Sequence, residues 1–232
     1  AYTDYSRYTY WTGPDMPANG ISWYEAAQFV NWLNASTGHQ PAYKFTGTQG
    51  TIDYRLANWS PAEADMGTNL FRHKDAFYFI PSEDEWVKAA FWNGTEAQNI
   101  ATKPGETFFQ GDGVSGTGWN YYNEDGYALE NKGPWSPGSG SEELNGTYDM
   151  MGNMMEWMEG PRDAGDYKED AIRSRRSASY DYQYYYELPY RMETRPYAEN
   201  PGIGFRIASV PEPATMSILG LAGFVMLTQR RK

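Results

Sequence analysis

The sequence predicts an irregular, loop-rich α+β fold with two main helices and short antiparallel strands. Three observations carry this expectation: an aromatic-heavy composition, an abundance of chain-turning residues, and two helix-start signatures. Twenty Tyr, nine Trp and ten Phe make 17% of the 232 residues. Aliphatic residues are sparse, and with a net charge of −11 that balance ordinarily marks disorder. Rings that each bury roughly 150–250 Å² can replace an aliphatic core, so the chain is expected to fold. Twenty-four Gly and fourteen Pro assign much of the backbone to turns and loops, which excludes coiled coils and long helical bundles.

Residues 1–20 read as loop. Ser22 followed by Glu25 forms a capping box, and the spacing predicts a helix over 23–34 with an inward stripe of Trp23, Ala26, Ala27, Val30 and Leu33. Residues 77–80 read as a short strand. Ser82 and Glu85 repeat the capping box, with Trp86, Ala89 and Ala90 expected to face inward. Glu83, Asp84 and Glu85 fall in that helix's first turn, where the macrodipole favours acids, which is a structural rather than a catalytic reading. Residues 93–145 read as long loops, and 202–209 as a closing strand. A folded unit is expected over 1–209 and a separate tail over 210–232.

The absence of Cys excludes disulfides, thiolate metal sites and any cysteine nucleophile. Only His39 and His73 are present, too few for a three-histidine metal centre, and both are given a structural reading. The acidic balance makes nucleic acid an unsuitable partner.

The tail runs Pro211-Glu212-Pro213, then almost wholly apolar over 214–227, then ends with Arg230-Arg231-Lys232. As a helix at ~1.5 Å per residue the apolar run spans roughly 21 Å, short of a ~30 Å hydrocarbon core but adequate for transient membrane insertion. Its basic end would stay cytoplasmic and place residues 1–210 on the far side of the membrane. The alternative is a buried C-terminal helix with a basic cap. The pattern of Pro211, Glu212 and Pro213 before the apolar run, with Arg230 and Arg231 after it, resembles the PEP-CTERM sorting signal. That resemblance implies an exosortase-type processing protease as partner, and an exported protein of the cell envelope or extracellular space.

Four ordered segments, 17–27, 80–90, 148–157 and 204–208, carry a second resemblance. They include Ser22-Trp23-Tyr24-Glu25-Ala26-Ala27, Pro81-Ser82-Glu83-Asp84-Glu85-Trp86, Asp149-Met150-Met151-Gly152-Asn153-Met154-Met155-Glu156-Trp157 and Gly204-Phe205-Arg206. Together they resemble the formylglycine-generating enzyme, or sulfatase-modifying factor, family, whose C-type-lectin-like fold agrees with the loop-rich composition. Family enzymes oxidise a sulfatase cysteine with a copper-bound pair of their own cysteines. The family's Gly-Gly-Ser-Trp/Tyr turn reads Ser177-Ala178-Ser179-Tyr180 here and tyrosines follow where thiols belong, so copper is not expected. The strand and helix that open family domains are not seen ahead of residue 17. N-terminal elements are therefore expected to be missing; were the chain complete instead, 204–209 would expose an unpaired strand edge.

The resemblance implies a structural calcium site at Asp149, Gly152, Met154 and Glu156, two carboxylates and two carbonyls suited to a hard cation. A second would use Asn120 and Tyr121, with Asp125 and Tyr127. The alternative is that Asp149 and Glu156 cap loops around Trp157. Tyr180, Tyr182 and Tyr184 read either as one face of a half-buried strand or as an aromatic platform for a sugar or peptide. Arg173, Arg175 and Arg176 beside them read as a solvated rim. The expected function is an exported, non-catalytic binding or structural module that takes calcium and a glycan or protein, with an extracellular polysaccharide or envelope protein as partner. The alternative is a formylglycine-generating-enzyme-like oxidoreductase, or another enzyme whose site these residues do not identify.

Overall fold

The computed structural model describes residues 12–123, 126, 133–182 and 186–210. Its first helix, α1 (Trp23–Ser36), begins at the expected capping box: the Ser22 hydroxyl accepts from the Glu25 amide, and the Glu25 carboxylate takes the Ser22 N–H at 2.7 Å. Trp23, Ala26, Ala27 and Val30 are buried as expected, but the last buried position is Asn34 rather than Leu33. Asn34 behaves as a strand partner, donating to the Tyr78 carbonyl at 2.8 Å and accepting from the Tyr78 N–H at 2.9 Å.

Five short strands follow: β1 (Lys44–Thr46), β2 (Arg55–Ala57), β3 (Ala64–Asp65), β4 (Asn69–His73) and β5 (Tyr78–Phe79). They form antiparallel two-stranded ribbons, β1 with β2 and β3 with β4. The second helix, α2 (Glu83–Phe91), starts at the Ser82–Glu85 capping box and buries Trp86, Ala90 and Phe91. Ala89 is exposed instead of inward, because the helix ends on Phe91 and the larger ring takes the core position.

Residues 93–145 hold only isolated bridges among the described residues. The central sheet then forms from β6 (Met155–Pro161), β7 (Arg173–Arg176), β8 (Met192–Thr194) and β9 (Ile203–Gly204), in the order β8-β7-β6-β9. All its pairs are antiparallel except β6 with β9, which is parallel. The expected closing strand is two strands: after β9 the chain turns through Phe205 and Arg206, and β10 (Ala208–Ser209) pairs with β5. Each is thus partnered on one side, β9 by β6 at the end of the central sheet and β10 by β5, and among the described residues neither has a strand on its other side.

Two aromatic clusters form the core. One packs Trp23, Val30, Tyr43, Phe71, Ile80 and Trp157 between α1 and the sheet; the other packs Trp86, Phe91, Trp119, Met150, Met151 and Met158 beneath α2. The buried indole N–H groups of Trp23 and Trp157 reach long-range acceptors, the Met158 carbonyl (3.1 Å) and the Ile21 carbonyl (3.0 Å). A buried charge network ties the clusters together. Glu159, fully buried, receives Arg72 (Nη2 at 2.7 Å), the Tyr43 hydroxyl (3.0 Å) and the Asn69 amide, while Arg72 also grips Glu85 at 2.7 Å.

Candidate functional site

The loop that enters β6 is fixed by its own polar side chains. Glu143, fully buried, accepts from the amides of Met150 (2.9 Å) and Met151 (3.1 Å), the Trp119 indole (3.2 Å) and the Thr147 hydroxyl (3.0 Å). Asp149 and Asn153 sit in the left-handed region, at φ +62° and +66°, which Asn and Asp tolerate better than other side chains. Asn153 donates its N–H to the Asn120 carbonyl at 2.6 Å, and its side chain exchanges hydrogen bonds with the Trp135 backbone. Gly152 passes so close to Asn120 that a Cβ there would lie 2.5 Å from the Asn120 carbonyl oxygen; the crossing needs glycine.

This loop projects Asp149, Met154 and Glu156 toward a cavity of about 690 Å³, closed from the other side by Phe205 and Arg206. Arg206 meets Glu156 through two parallel bonds, Nε to Oε2 at 2.5 Å and Nη2 to Oε1 at 2.6 Å, and the Trp86 indole adds a third to Oε2 at 2.7 Å. Asp149 accepts from the Gly138 N–H at 2.8 Å. Burial, and then the charge of Glu156, push the Asp149 carboxyl above its usual range. Burial raises Glu143 to about 7, against the pull of its hydroxyl and amide donors and of Arg206. Burial opposes the charge on Arg206, yet Glu156, Glu143 and Asp149 together hold its pKa above the ordinary guanidinium value. Three carboxylates thus surround one guanidinium.

Of the residues expected to ligate calcium, Asp149, Met154 and Glu156 line this cavity. The Gly152 carbonyl instead accepts from the Met154 N–H (2.9 Å) and the Ser177 hydroxyl (3.2 Å). Asn120 and Tyr121 lie behind the loop: the Asn120 carbonyl serves Asn153, and the Tyr121 ring stacks on Phe108 at 4.6 Å. Among the described residues no three His, Cys, Asp or Glu side chains gather closely enough to hold a metal ion. Asp125, Tyr127, Tyr184, and the tail residues Pro211, Glu212, Pro213, Arg230 and Arg231 lie outside the described residues.

The tyrosine segment forms no strand among its described residues. Ser179 and Tyr182 close a turn, Tyr180 is buried, and Tyr182 is 47% exposed. Tyr182 borders a second, smaller pocket of about 230 Å³ together with Met155, Arg175, Ser179, Asp181 and Gly202. The arginines beside it are not a solvated rim. Arg173 is fully buried, its guanidinium stacked 4.4 Å from the Trp23 ring and 4.0 Å from Phe71, and burial lowers its pKa to about 10. Arg175 is 9% exposed, and Arg176 pairs with Glu83 at 2.6 Å. Alternation along β7 turns Arg173 and Arg175 to the same side of the central sheet, and aromatic faces take the place of water around Arg173.

Both histidines pack against rings, His39 on Phe77 and His73 on Trp59, each at 4.5 Å. Neither lines the larger cavity or the pocket beside Tyr182. The residues that sequence reasoning missed are arginines. Arg206 was visible only as part of a Gly-Phe-Arg segment, and Arg175 only as one of several charges.

The sulfatase-modifying factor enzyme 1-like domain model matches residues 3–210. The chain belongs to this family. Residues 209–232 match the PEP-CTERM protein-sorting motif, which marks an exported family member handled by an exosortase-type system. Solved structures with the same fold include CarF (23% identity, TM-score 0.54, covering 86% of this chain and 70% of that one) and Treponema denticola variable protein 1 (20% identity, TM-score 0.59, covering 86% and 73%). At these identities the likeness is one of fold. No curated protein matches the chain. Among the described residues no helix is long and apolar enough to cross a membrane.

Proposed function

We propose that this family member is a non-catalytic binding module of the cell envelope or extracellular space, held transiently at the membrane by its C-terminal tail before processing. Its ligand surface is the pocket beside Tyr182; Tyr180 is buried two residues before it, and Tyr184 follows in the sequence. One observation carries this reading: the segment that follows the Ser177–Tyr180 turn, where the family's enzymes keep their thiols, contains tyrosines, in a chain with no cysteine. Soft ligation of Cu(I) and thiol oxidation both require sulfur nucleophiles that the sequence does not supply. A half-exposed tyrosine at the mouth of a polar pocket instead provides contact area at low entropic cost. The test is turnover of a sulfatase-derived cysteine peptide by the full chain with copper and oxygen. No aldehyde product is expected; formylglycine formation would overturn the reading.

Calcium is a second reading, favoured by the acidic excess of the larger cavity. Asp149 and Glu156 with the Met154 carbonyl are the groups that would hold it, the Gly152 carbonyl joining them only by giving up the Met154 N–H and the Ser177 hydroxyl, and the hard oxygen set suits that ion. Glu156 already holds the Arg206 guanidinium, so calcium entry requires that pair to rearrange. A ligand that binds only the folded state raises its melting temperature. A calcium-dependent rise lost in Asp149→Ala supports this reading, and a melt indifferent to calcium and chelator removes it.

A further inference from the structure

Among the described residues the smaller pocket holds a buried guanidinium with no carboxylate partner; Arg173 shares that lack but lies against the Trp23 and Phe71 rings. Arg72, Arg162, Arg176, Arg191 and Arg206 each meet a carboxylate within 3.1 Å. Arg175, although 9% exposed, meets none among the described residues. Its contacts are two long ones, Nη1 to the Met155 sulfur at 3.5 Å and Nη2 to the Glu193 carbonyl at 3.4 Å, and its Nε has no partner. Burial accordingly pulls its pKa below the usual guanidinium value. A desolvated cation without a counter-charge is costly, and an arriving anion that can accept from its planar fork would remove that cost.

The other side of the pocket presents acceptors. A Cβ on Gly202 would lie 2.9 Å from Asp181 Oδ1, 3.3 Å from Asn200 Oδ1 and 3.5 Å from Ser179 Oγ, so three oxygens crowd close to the glycine, and Asn200 Oδ1 accepts from the Gly202 N–H at 2.8 Å. Asp181 Oδ1 already accepts from Ser179 Oγ at 2.7 Å. This face would repel an anion but welcomes hydroxyl donors. At about 230 Å³ the pocket is below the roughly 300 Å³ at which drug-sized sites begin, so a single ring or chain end enters.

We propose that the pocket bounded by Arg175, Ser179, Asp181, Asn200 and Gly202 binds one sugar-acid residue of an acidic glycan. Its carboxylate sits on Arg175, its hydroxyls on Asp181 and Asn200, and its ring lies against Tyr182. This deepens the binding-module reading and rests on it.

The test is an NMR titration of the full 232-residue chain with methyl glucuronide, methyl glucoside and glutarate. The glucuronide is expected to bind at least about tenfold more tightly than the glucoside, since only it meets the guanidinium. Arg175→Met should erase that preference without lowering the melting temperature, because it removes an unpaired buried charge. Gly202→Ala should abolish binding of both sugars by placing a methyl group among the three oxygens. Equal affinity for glucuronide and glucoside overturns the sugar-acid assignment and leaves the glycan-binding module standing. Glutarate binding as tightly as the glucuronide, or no binding by any of the three, overturns the assignment. So does a clear fall in melting temperature in Arg175→Met, which would make the arginine a structural element.

Discussion

Among the described residues, Arg206 is the one cation paired with Glu156 in the larger cavity, and replacing it by methionine removes that partner. The Glu156 side chain is 8% exposed and that of Arg206 28%, and their two parallel bonds measure 2.5 and 2.6 Å. Truncating one partner of a buried pair leaves the other charge uncompensated, at a typical cost of about 3–5 kcal/mol, and the partial exposure of Arg206 places this case toward the lower figure. Here the stranded carboxylate also faces Asp149, which already feels its charge. In a domain of this size each kcal/mol shifts the midpoint by roughly 2–4 °C, so thermal unfolding by circular dichroism should show a fall of about 6–12 °C. Arg206→Met with Glu156→Gln should recover much of that loss, since it empties the site of both charges. A single variant within about 1 kcal/mol of the parent would refute the idea that the pair locks the β9–β10 turn onto β6. Calcium restoring Arg206→Met, but not the double variant, would support the cation reading of the cavity.

Two further expectations concern groups whose environment is unusual. Glu143 is raised to about 7 by burial, above its unfolded value of ~4.3. Between these values the folded state keeps a proton that the unfolded state has released, so its contribution to stability falls as pH rises through that window and is level above it. Glu143→Gln should flatten this dependence by up to about 1.4 kcal/mol per pH unit, read as melting temperature from pH 4.5 to 7.5 in parent and variant; parallel curves would contradict it. Asn34→Leu removes the partners of the half-buried backbone N–H and carbonyl of Tyr78, at about 1 kcal/mol for each unsatisfied group, the low end for a site that water can reach. Urea unfolding should show that loss, and an unchanged midpoint would mean that the Tyr78 backbone finds other partners.

The parts of the fold legible in the sequence are those decided within a few residues. Both capping boxes depend on a Ser and a Glu three positions apart, and both helices begin where those pairs place them. β6 was not read as a strand: the 148–157 segment carried only the family resemblance. What could not be read was the counter-charge at long range: Arg72 reaches Glu159 across 87 residues and Arg206 reaches Glu156 across 50. Nothing local distinguishes such an arginine from a surface one. Arg173 is the clearest case, since aromatic faces from α1 and β4 bury a side chain whose type predicts exposure. The closing segment was read as one strand because its apolar pattern is continuous. The turn at Phe205 and Arg206 follows from pairing with two different sheets, β9 on β6 and β10 on β5. Alternation over 180–186 resembles a strand, and of that run the described residues show a turn closed by Ser179 and Tyr182.

The central claim is that this chain recognises a ligand at the pocket beside Tyr182 rather than transforming one. Its most direct test is binding of the full chain to purified extracellular polysaccharide, compared with Tyr182→Ala. The exposed ring stands at the pocket mouth, so the substitution should weaken binding at least about fivefold with little change in stability, as a stacked aromatic contributes roughly 1 kcal/mol or more. Equal binding by parent and variant would contradict the account.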